Sequence, residues 1–414
     1  MPPGILFTLK RDIQQYDVGK SLILAPHSPP AAYGLPGYRL PPGVTTDDLV
    51  PSSFPDDQNL EPTQQAFKYT PLNYDPDKQL VEEEKVHLKI VEILKGGLTA
   101  GIQTIVCEVI KAPVNPEKSS LKVEDLVVAR VHDPLFSSWD YDPFFPWKPS
   151  SRADVIFANE AGIYEYMEQH NLTGHPHLAP RFFGTWTAQM TSSNIEFRGK
   201  TRPVCVTLIE YIQGTLLSDL LARGDGGEFI MAPGPLQLYE GSETLLEPDE
   251  TTRLEVLRQL MDGDSRHLHH GVNHREIDPS KIMITMRNGS QDLETPRAVL
   301  IGFHGAYLES FLKESDSRHV SQKLPPHPFF LYDVTAMHPF FPWAPMHWKE
   351  SEDDRYPISL GFQAWLVETF GSLKENDTYR ISQKIPVEKL RPGLYEKIGP
   401  LVDAFDDLEI DEFI

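Results

Sequence analysis

Alternating apolar and polar positions predict β-strands in the segment that begins near residue 86. Residues 87–94 alternate in the manner of a strand, and residues 103–110 and 126–131 are two further stretches rich in β-branched side chains. The turn signal Lys95-Gly96-Gly97 separates the first two. We therefore expect an antiparallel meander of three strands.

A helical pattern follows the meander. Residues 153–167 repeat their apolar positions at helical spacing, and Glu160 lies on the same face as those apolar residues. Two more strands are predicted at residues 182–187 and 203–212. The first half of the chain is therefore three strands, a helix and two strands.

The second half of the chain is predicted to be mainly helical. Residues 250–269 form a long amphipathic helix, and a polar loop at residues 271–276 follows it. Residues 281–286 and 298–303 predict a β-hairpin, and residues 362–370 predict a last helix.

Proline separates the first part of the chain from this body. Residues 1–85 hold 13 of the 37 prolines, and each proline removes an amide donor and fixes φ. We expect an extended arm there, with little regular helix or sheet, partly ordered if it lies on the body.

Six short segments stand out in this order of elements, namely residues 126–130, 133–135, 160–164, 208–214, 271–277 and 363–371. With the order of the elements they resemble the protein-kinase fold, most closely a fungal group of kinase-like proteins and pseudokinases. The resemblance implies an α+β, bilobal fold, with an antiparallel β-rich N-lobe that carries one helix and a mainly helical C-lobe. The implied N-lobe spans residues 86–213 and the C-lobe residues 214–375. A Pro-rich N-terminal arm (1–85) and an acidic C-terminal tail (376–414) flank them.

The resemblance also implies catalytic positions in a cleft between the lobes. Arg130 occupies the position of the kinase lysine that holds phosphates, and Glu160 is its helix partner; arginine keeps the charge but has a bulkier, planar head group. Glu276 occupies the position of the catalytic base, with a carboxylate moved by about an ångström relative to aspartate. In this interpretation Arg130 binds an anionic group, Glu160 orients it and Glu276 is the acid or base. The alternative is that Arg130 and Glu160 form a buried structural pair and Glu276 caps the hairpin.

The implied cofactor site departs further from the kinase pattern. Gly96, Gly97 and Gly101 form a degenerate phosphate loop, because their spacing is not GxGxxG. Lys281 and Gly302 occupy the two positions that hold magnesium in kinases, and neither side chain offers an oxygen ligand. We therefore predict no metal site, and weak or metal-independent nucleotide binding with Lys281 as the cation.

These departures favour a pseudokinase-like scaffold or regulator with an unknown protein or small-molecule partner over an ordinary protein kinase. The alternative is a kinase-like fold used as a fungal secondary-metabolite transferase, such as an arginine-containing cyclodipeptide synthase that takes aminoacyl-tRNA. The Asp-Asp-x-x-Glu motif of that family is absent from the chain. A small-molecule kinase ranks last, because it also needs the metal positions.

The charge and cysteine content of the chain limit the classes of partner and the compartment that we expect. The chain has 38 Lys and Arg against 60 Asp and Glu, a net charge of −22, which argues against a broad nucleic-acid face or attachment to an anionic membrane. A tRNA partner therefore belongs only to the transferase alternative. Cys107 and Cys205 are too few for a disulfide framework and predict reduced thiols in a cytoplasmic protein. Four histidines between residues 267 and 274 suggest a metal site, but no acidic or thiol residue has ligand spacing with them.

Overall fold

The structure is a computed structural model, and it describes residues 3–49, 60–78, 81–114, 120–137, 149–223, 229–231, 234–242, 245–312, 322–349, 360–373 and 375–381. The helices are α1 (Pro3–Asp12), α2 (Pro62–Lys68), α3 (Pro149–Gln169), α4 (Glu250–His269), α5 (Val334–Met337) and α6 (Leu360–Phe370). The longer strands are β1 (Ser21–Pro26), β2 (Val86–Lys95), β3 (Gln103–Lys111), β4 (Leu126–His132), β5 (Phe182–Met190) and β6 (Arg202–Glu210). The remaining strands are β7 (Thr215–Leu216), β8 (Leu221–Arg223), β9 (Phe229–Met231), β10 (Leu236–Gln237), β11 (Leu245–Leu246), β12 (Val272–Asn273), β13 (Ile282–Asn288), β14 (Gln291–Leu300) and β15 (Tyr307–Leu308).

The first six strands form a closed antiparallel barrel in the order β1-β2-β3-β4-β6-β5. The predicted meander is confirmed, since β2 pairs with β3 and β3 with β4, all antiparallel. Closure comes from β1, whose Leu24 is paired with Val86 of β2 on one side and with Ala188 of β5 on the other. A closed barrel leaves none of its strands with an unpaired edge.

The expected kinase-like fold is wrong. Where the resemblance implied a bilobal α+β protein, the structure has a closed six-stranded antiparallel barrel with few helices. The segment expected to be a mainly helical C-lobe contains α4 to α6 together with the short pairs β12–β15 and β10–β11 and a three-stranded sheet in the order β14-β13-β7. A single hydrophobic cluster includes Val128 and Ile209 of the barrel strands together with Leu257 and Phe303 from this segment.

The prediction that residues 1–85 hold little regular structure is also wrong. Strand β1 comes from this segment, and its last residue is Pro26, where the lost amide donor matters least. Helix α2 begins with Pro62 at its first position, where proline is tolerated, and a capping box of Glu61 and Gln64 closes its start. The domain boundaries stay a prediction; residues 382–414, which hold most of the expected acidic tail, lie outside the described residues.

Strand β4 has one face inside the barrel and one face towards α3. The inward side chains are those of Val127, Ala129 and Val131, all fully buried in the barrel core. Because successive side chains of a strand point to opposite faces, Arg130 and His132 both lie on the outer face, where they contact Glu160 of α3. The alternation along β4 therefore places Arg130 and His132 on the same face, next to Glu160.

The segment after the barrel is organised by α4 and a β-hairpin. Asp249 caps α4 by accepting a hydrogen bond from the amide of Thr252 at 2.7 Å. The predicted hairpin is confirmed as β13 and β14, with Ile282 paired with Leu300, and its strands continue closer to the turn than the sequence pattern indicates. Within the described ranges, no helix is both long enough and apolar enough to cross a membrane.

Candidate functional site

A buried charged group joins β4 to α3. Nε of Arg130 lies 2.6 Å from Oε1 of Glu160, and Nε2 of His132 lies 3.0 Å from Oε2 of the same carboxylate. The Glu160 side chain is 1% exposed and that of Arg130 is 13% exposed. The Arg130–Glu160 contact is a close ion pair without hydrogen-bond alignment at Nε. The two residues predicted to act together from the sequence are therefore in contact.

The protonation states of this group follow from burial and charge. Burial alone raises the pKa of Glu160, but the charge of Arg130 and the hydrogen bond from His132 outweigh it, and the pKa falls to about 2. Burial lowers the pKa of His132, and the hydrogen bond to Glu160 opposes that change without cancelling it. At neutral pH the site therefore holds an ionised Glu160 beside a neutral His132.

A second, more exposed pair lies at the hairpin. Nζ of Lys281 lies 3.4 Å from Oε2 of Glu276, and the two side chains are 26% and 59% exposed. Lys281 immediately precedes β13, and Glu276 lies in the loop after β12. This long, solvated contact is weak, since exposed ion pairs contribute about 0–1 kcal/mol.

Gly302 has a backbone reason for being glycine. Its φ is +89°, in the left-handed region that favours glycine. A Cβ built there would lie 3.5 Å from Cδ and 3.9 Å from Nζ of Lys281. Gly302 therefore permits the left-handed turn of the chain after β14, whereas a Cβ there would make only ordinary contact with the Lys281 side chain.

His304 interacts electrostatically with both charged pairs. Burial is the main cause that lowers the pKa of its imidazole, and the charges of Glu160, Arg130 and Lys281 also act on it. Asn159 of α3 holds this loop by donating from Nδ2 to the backbone oxygens of His304 at 2.8 Å and Ala306 at 3.1 Å. We refer to Arg130, Glu160, His304, Lys281 and Glu276 as the charged cluster.

The glycines of the predicted phosphate loop bond to the protein itself. The amide of Gly97 donates to Oε1 of Gln103 at 2.8 Å, and the amide of Gly101 donates to the backbone oxygen of Phe136 at 2.9 Å. Gly96 packs against the same glutamine, because a Cβ there would lie 3.1 Å from Oε1 of Gln103. The structure thus pairs Arg130 with Glu160 and Lys281 with Glu276, and His304 interacts electrostatically with both pairs, whereas two of the three glycine amides already have partners.

The conspicuous histidines near residue 270 have structural surroundings. His274 is 1% exposed; its Nε2 lies 3.0 Å from the backbone oxygen of Ile301, and its ring meets Phe303 edge to face. Burial lowers the pKa of His267 to about 3 and that of His274 to about 4. Across the described parts of the chain, no group of three or more His, Cys, Asp or Glu side chains is arranged to hold a metal ion.

Two residues of the site, His132 and His304, were not predicted from the sequence. His132 could have been found, because the period of two in β4 places it on the same face as Arg130. His304 had no such signal, because its position depends on the turn at Gly302 and on the hydrogen bonds from Asn159.

Comparison with known proteins gives no family for this chain. Neither the known protein families nor the curated proteins contain a match to it. The kinase resemblance is therefore unsupported by any relative, and the barrel contradicts the fold that it implied.

Proposed function

We propose that the chain is a binding protein with a regulatory or scaffolding role, and that its charged cluster takes a small phosphate-bearing anion at Lys281. The observation that supports this most is the state of Lys281. Its side chain is 26% exposed, against 13% for Arg130, the other cation of the charged cluster, and its carboxylate partner Glu276 is exposed and lies 3.4 Å away.

The two cations of the cluster differ in availability. Arg130 lies 2.6 Å from a fully buried carboxylate, and separating a buried pair costs about 3–5 kcal/mol. Lys281 is held by Glu276 at 3.4 Å, and replacing that exposed partner by a phosphate costs little. An anion therefore replaces Glu276 at Lys281, while the Arg130–Glu160 pair stays intact.

With a net charge of −22 the protein as a whole repels anions, so long-range attraction does not explain the binding of one. Binding then depends on the local geometry at Lys281. A ligand that binds the native state raises the melting temperature according to its concentration over Kd.

The test is a thermal-shift titration with pyrophosphate and with ATP, each with and without Mg²⁺. We expect stabilisation without Mg²⁺ that is lost in Lys281→Ala. Lys85→Ala is the matched control, because Lys85 is similarly exposed, at 24%, and pairs with Glu82 at 2.7 Å. A shift that needs Mg²⁺, or one that Lys85→Ala reduces as much as Lys281→Ala does, would contradict the proposal.

Glu276 separates binding from catalysis. If it competes with the anion, Glu276→Gln tightens pyrophosphate binding several-fold, because the competing negative charge is gone. If Glu276 is instead an acid or base, as the transferase alternative requires, the same variant loses turnover. Mass spectrometry of small molecules from a host that expresses either form distinguishes the two: a new product made only by wild type supports the transferase.

A further inference from the structure

A buried carboxylate of α3 ties two parts of the N-terminal segment to the body of the protein. Asp154 accepts a hydrogen bond from the hydroxyl of Tyr33 at 2.6 Å and another from the amide of Leu72 at 3.2 Å. Tyr33 is 1% exposed and Asp154 is 8% exposed. All three residues line a half-open groove of about 360 Å³ between the N-terminal segment and α3. Asp154 is therefore a point at which α3 holds this segment beside the groove.

The negative charge of Asp154 has no cation beside it. Within the described ranges, no lysine, arginine or histidine pairs with it or shifts its pKa. The titratable groups that face it are the hydroxyl of Tyr33 and, from β6, the thiol of Cys205, and both are neutral because burial raises their pKa values. His132 of β4 lines the same groove, but its Nε2 lies 3.0 Å from Glu160. An ionised Asp154 is thus held by two neutral donors alone.

The second of these donors belongs to a loosely held strap, residues 69–78, which follows α2. None of the strap residues is fully buried. Apart from the bond of Leu72, its contacts with the body include an exposed one, in which Nε2 of Gln189 donates to the hydroxyl of Tyr74 at 2.9 Å. The charged side chains of the strap are all exposed, namely Asp75, Asp77 and Lys78. A segment with so little buried surface opens locally at a low free-energy cost.

Opening of the strap is linked to the proton on Asp154. Burial raises the pKa of Asp154 from 3.8 to about 6, because the hydrogen bonds from Tyr33 and Leu72 offset it only in part. When the strap opens, water reaches the carboxylate and its pKa returns towards 3.8. The closed strap therefore holds the proton more tightly than the open strap, so protonation favours closure and ionisation favours opening. Protonation keeps both contacts, since the new O–H donates to the Tyr33 oxygen while the other carboxyl oxygen still accepts from Leu72.

We propose that residues 69–78 are a pH-sensitive strap, which closes on Asp154 as the pH falls towards 5 and loosens as the pH rises to 7. Because residues 69–72 form one wall of the groove, loosening of the strap widens the groove. The two pKa values of Asp154 raise the ratio of open to closed strap by up to about tenfold between pH 5 and pH 7 and change it little above pH 7. This device is separate from the anion site proposed at Lys281.

Hydrogen–deuterium exchange followed by mass spectrometry tests the strap in the full-length chain. Labelling runs from pH 5 to pH 8, with times corrected for the intrinsic pH dependence of amide exchange. We expect the protection of the peptide that contains Leu72 to fall by up to about tenfold between pH 5 and pH 7. Peptides from β4 and β6 should stay far better protected at each pH, because the strap opens without the barrel.

Two variants assign the effect to Asp154. Asp154→Asn cannot ionise and keeps an acceptor for Leu72, so the strap should be at least about tenfold better protected at pH 7 than in wild type, with no change between pH 5 and pH 7. Asp264→Asn is the matched control. Asp264 is also buried, at 6% exposure, with its pKa raised to about 6, but it accepts from the hydroxyl of Tyr332 at 2.7 Å and not from the strap. This variant should leave the pH dependence of the strap unchanged.

The proposal is overturned if the protection of the strap in wild type changes less than twofold between pH 5 and pH 7. It is also overturned if the strap exchanges only together with β4 and β6, or if Asp264→Asn removes the pH dependence as fully as Asp154→Asn does. The first two results need only the wild-type protein, so the test does not depend on whether either variant folds.

Discussion

Replacing Glu160 by glutamine should destabilise the chain strongly at neutral pH. The carboxylate is 1% exposed, and its pKa falls from 4.5 to about 2 because Arg130 and His132 offset the effect of burial. A lowering of about 2.5 units corresponds to about 3 kcal/mol at 1.36 kcal/mol per unit. Breaking a buried ion pair costs a similar amount, about 3–5 kcal/mol, because Arg130 then keeps its charge without a partner.

The pH dependence gives this prediction its sign. A carboxylate with a lowered native pKa stabilises the protein above its unfolded pKa, and the stabilisation is lost as pH falls through the native pKa. The stability difference between wild type and Glu160→Gln should therefore be full above about pH 4.5 and should shrink towards zero near pH 2. Urea unfolding followed by tryptophan fluorescence at several pH values measures it.

Glu82 provides the matched control. Hydrogen bonds from Lys85 and Lys111 also lower the pKa of Glu82 to about 2, but this residue is solvent-exposed. Solvent screens its pairs, so Glu82→Gln should have a much smaller effect than Glu160→Gln. A stabilising role of the Arg130–Glu160 pair is refuted if Glu160→Gln costs less than about 1 kcal/mol at neutral pH, or if the two variants cost the same.

Two further predictions concern packing. Leu24→Ala in β1 should lower the free energy of unfolding by about 2–5 kcal/mol, because Leu24 is fully buried. Ile23→Ala is the control on the same strand and should cost far less, because Ile23 is 53% exposed. Equal shifts of the urea midpoint in the two variants would contradict the role of β1 in the barrel core. Gly263→Ala in α4 should destabilise the protein despite the better helix propensity of alanine, because the new Cβ would lie 2.6 Å from Cβ of Leu178. Gly305→Ala is the control and should be close to neutral in stability, because its Cβ would meet nothing within 4 Å. A melting temperature that rises in Gly263→Ala would show that the α4 contact can relax.

The sequence was most informative where structure depends on local pattern. Strands β2 to β6, helices α3 and α4 and the hairpin β13–β14 all lie where periodicity predicted them. The closure of the barrel was missed because it depends on pairing between distant segments, and no local pattern in residues 21–26 specifies β2 and β5 as partners. The order of elements alone also fits other folds, which is how the kinase resemblance misled.

In the candidate site, too, the features that depend on local spacing were predictable and those that depend on distant contacts were not. The contact between Arg130 and Glu160 followed from one strand position and one helix face, both readable from spacing. The availability of the Gly97 and Gly101 amides was not readable, because it depends on the side chain of Gln103 and on the backbone of Phe136. The roles of Glu276 and Lys281 stay predictions that the variants above test.

The position of β1 in the barrel has a consequence for synthesis on the ribosome. Leu24 of β1 cannot pair with Ala188 of β5 until Ala188 has been synthesised, 164 residues later in the chain. At about 5–20 residues per second, this interval lasts about 8–30 s. During that time the nascent chain carries an incomplete sheet with open edges, the state in which strands of different chains can join. The first of the six barrel strands to be made is therefore among the last to complete its pairing.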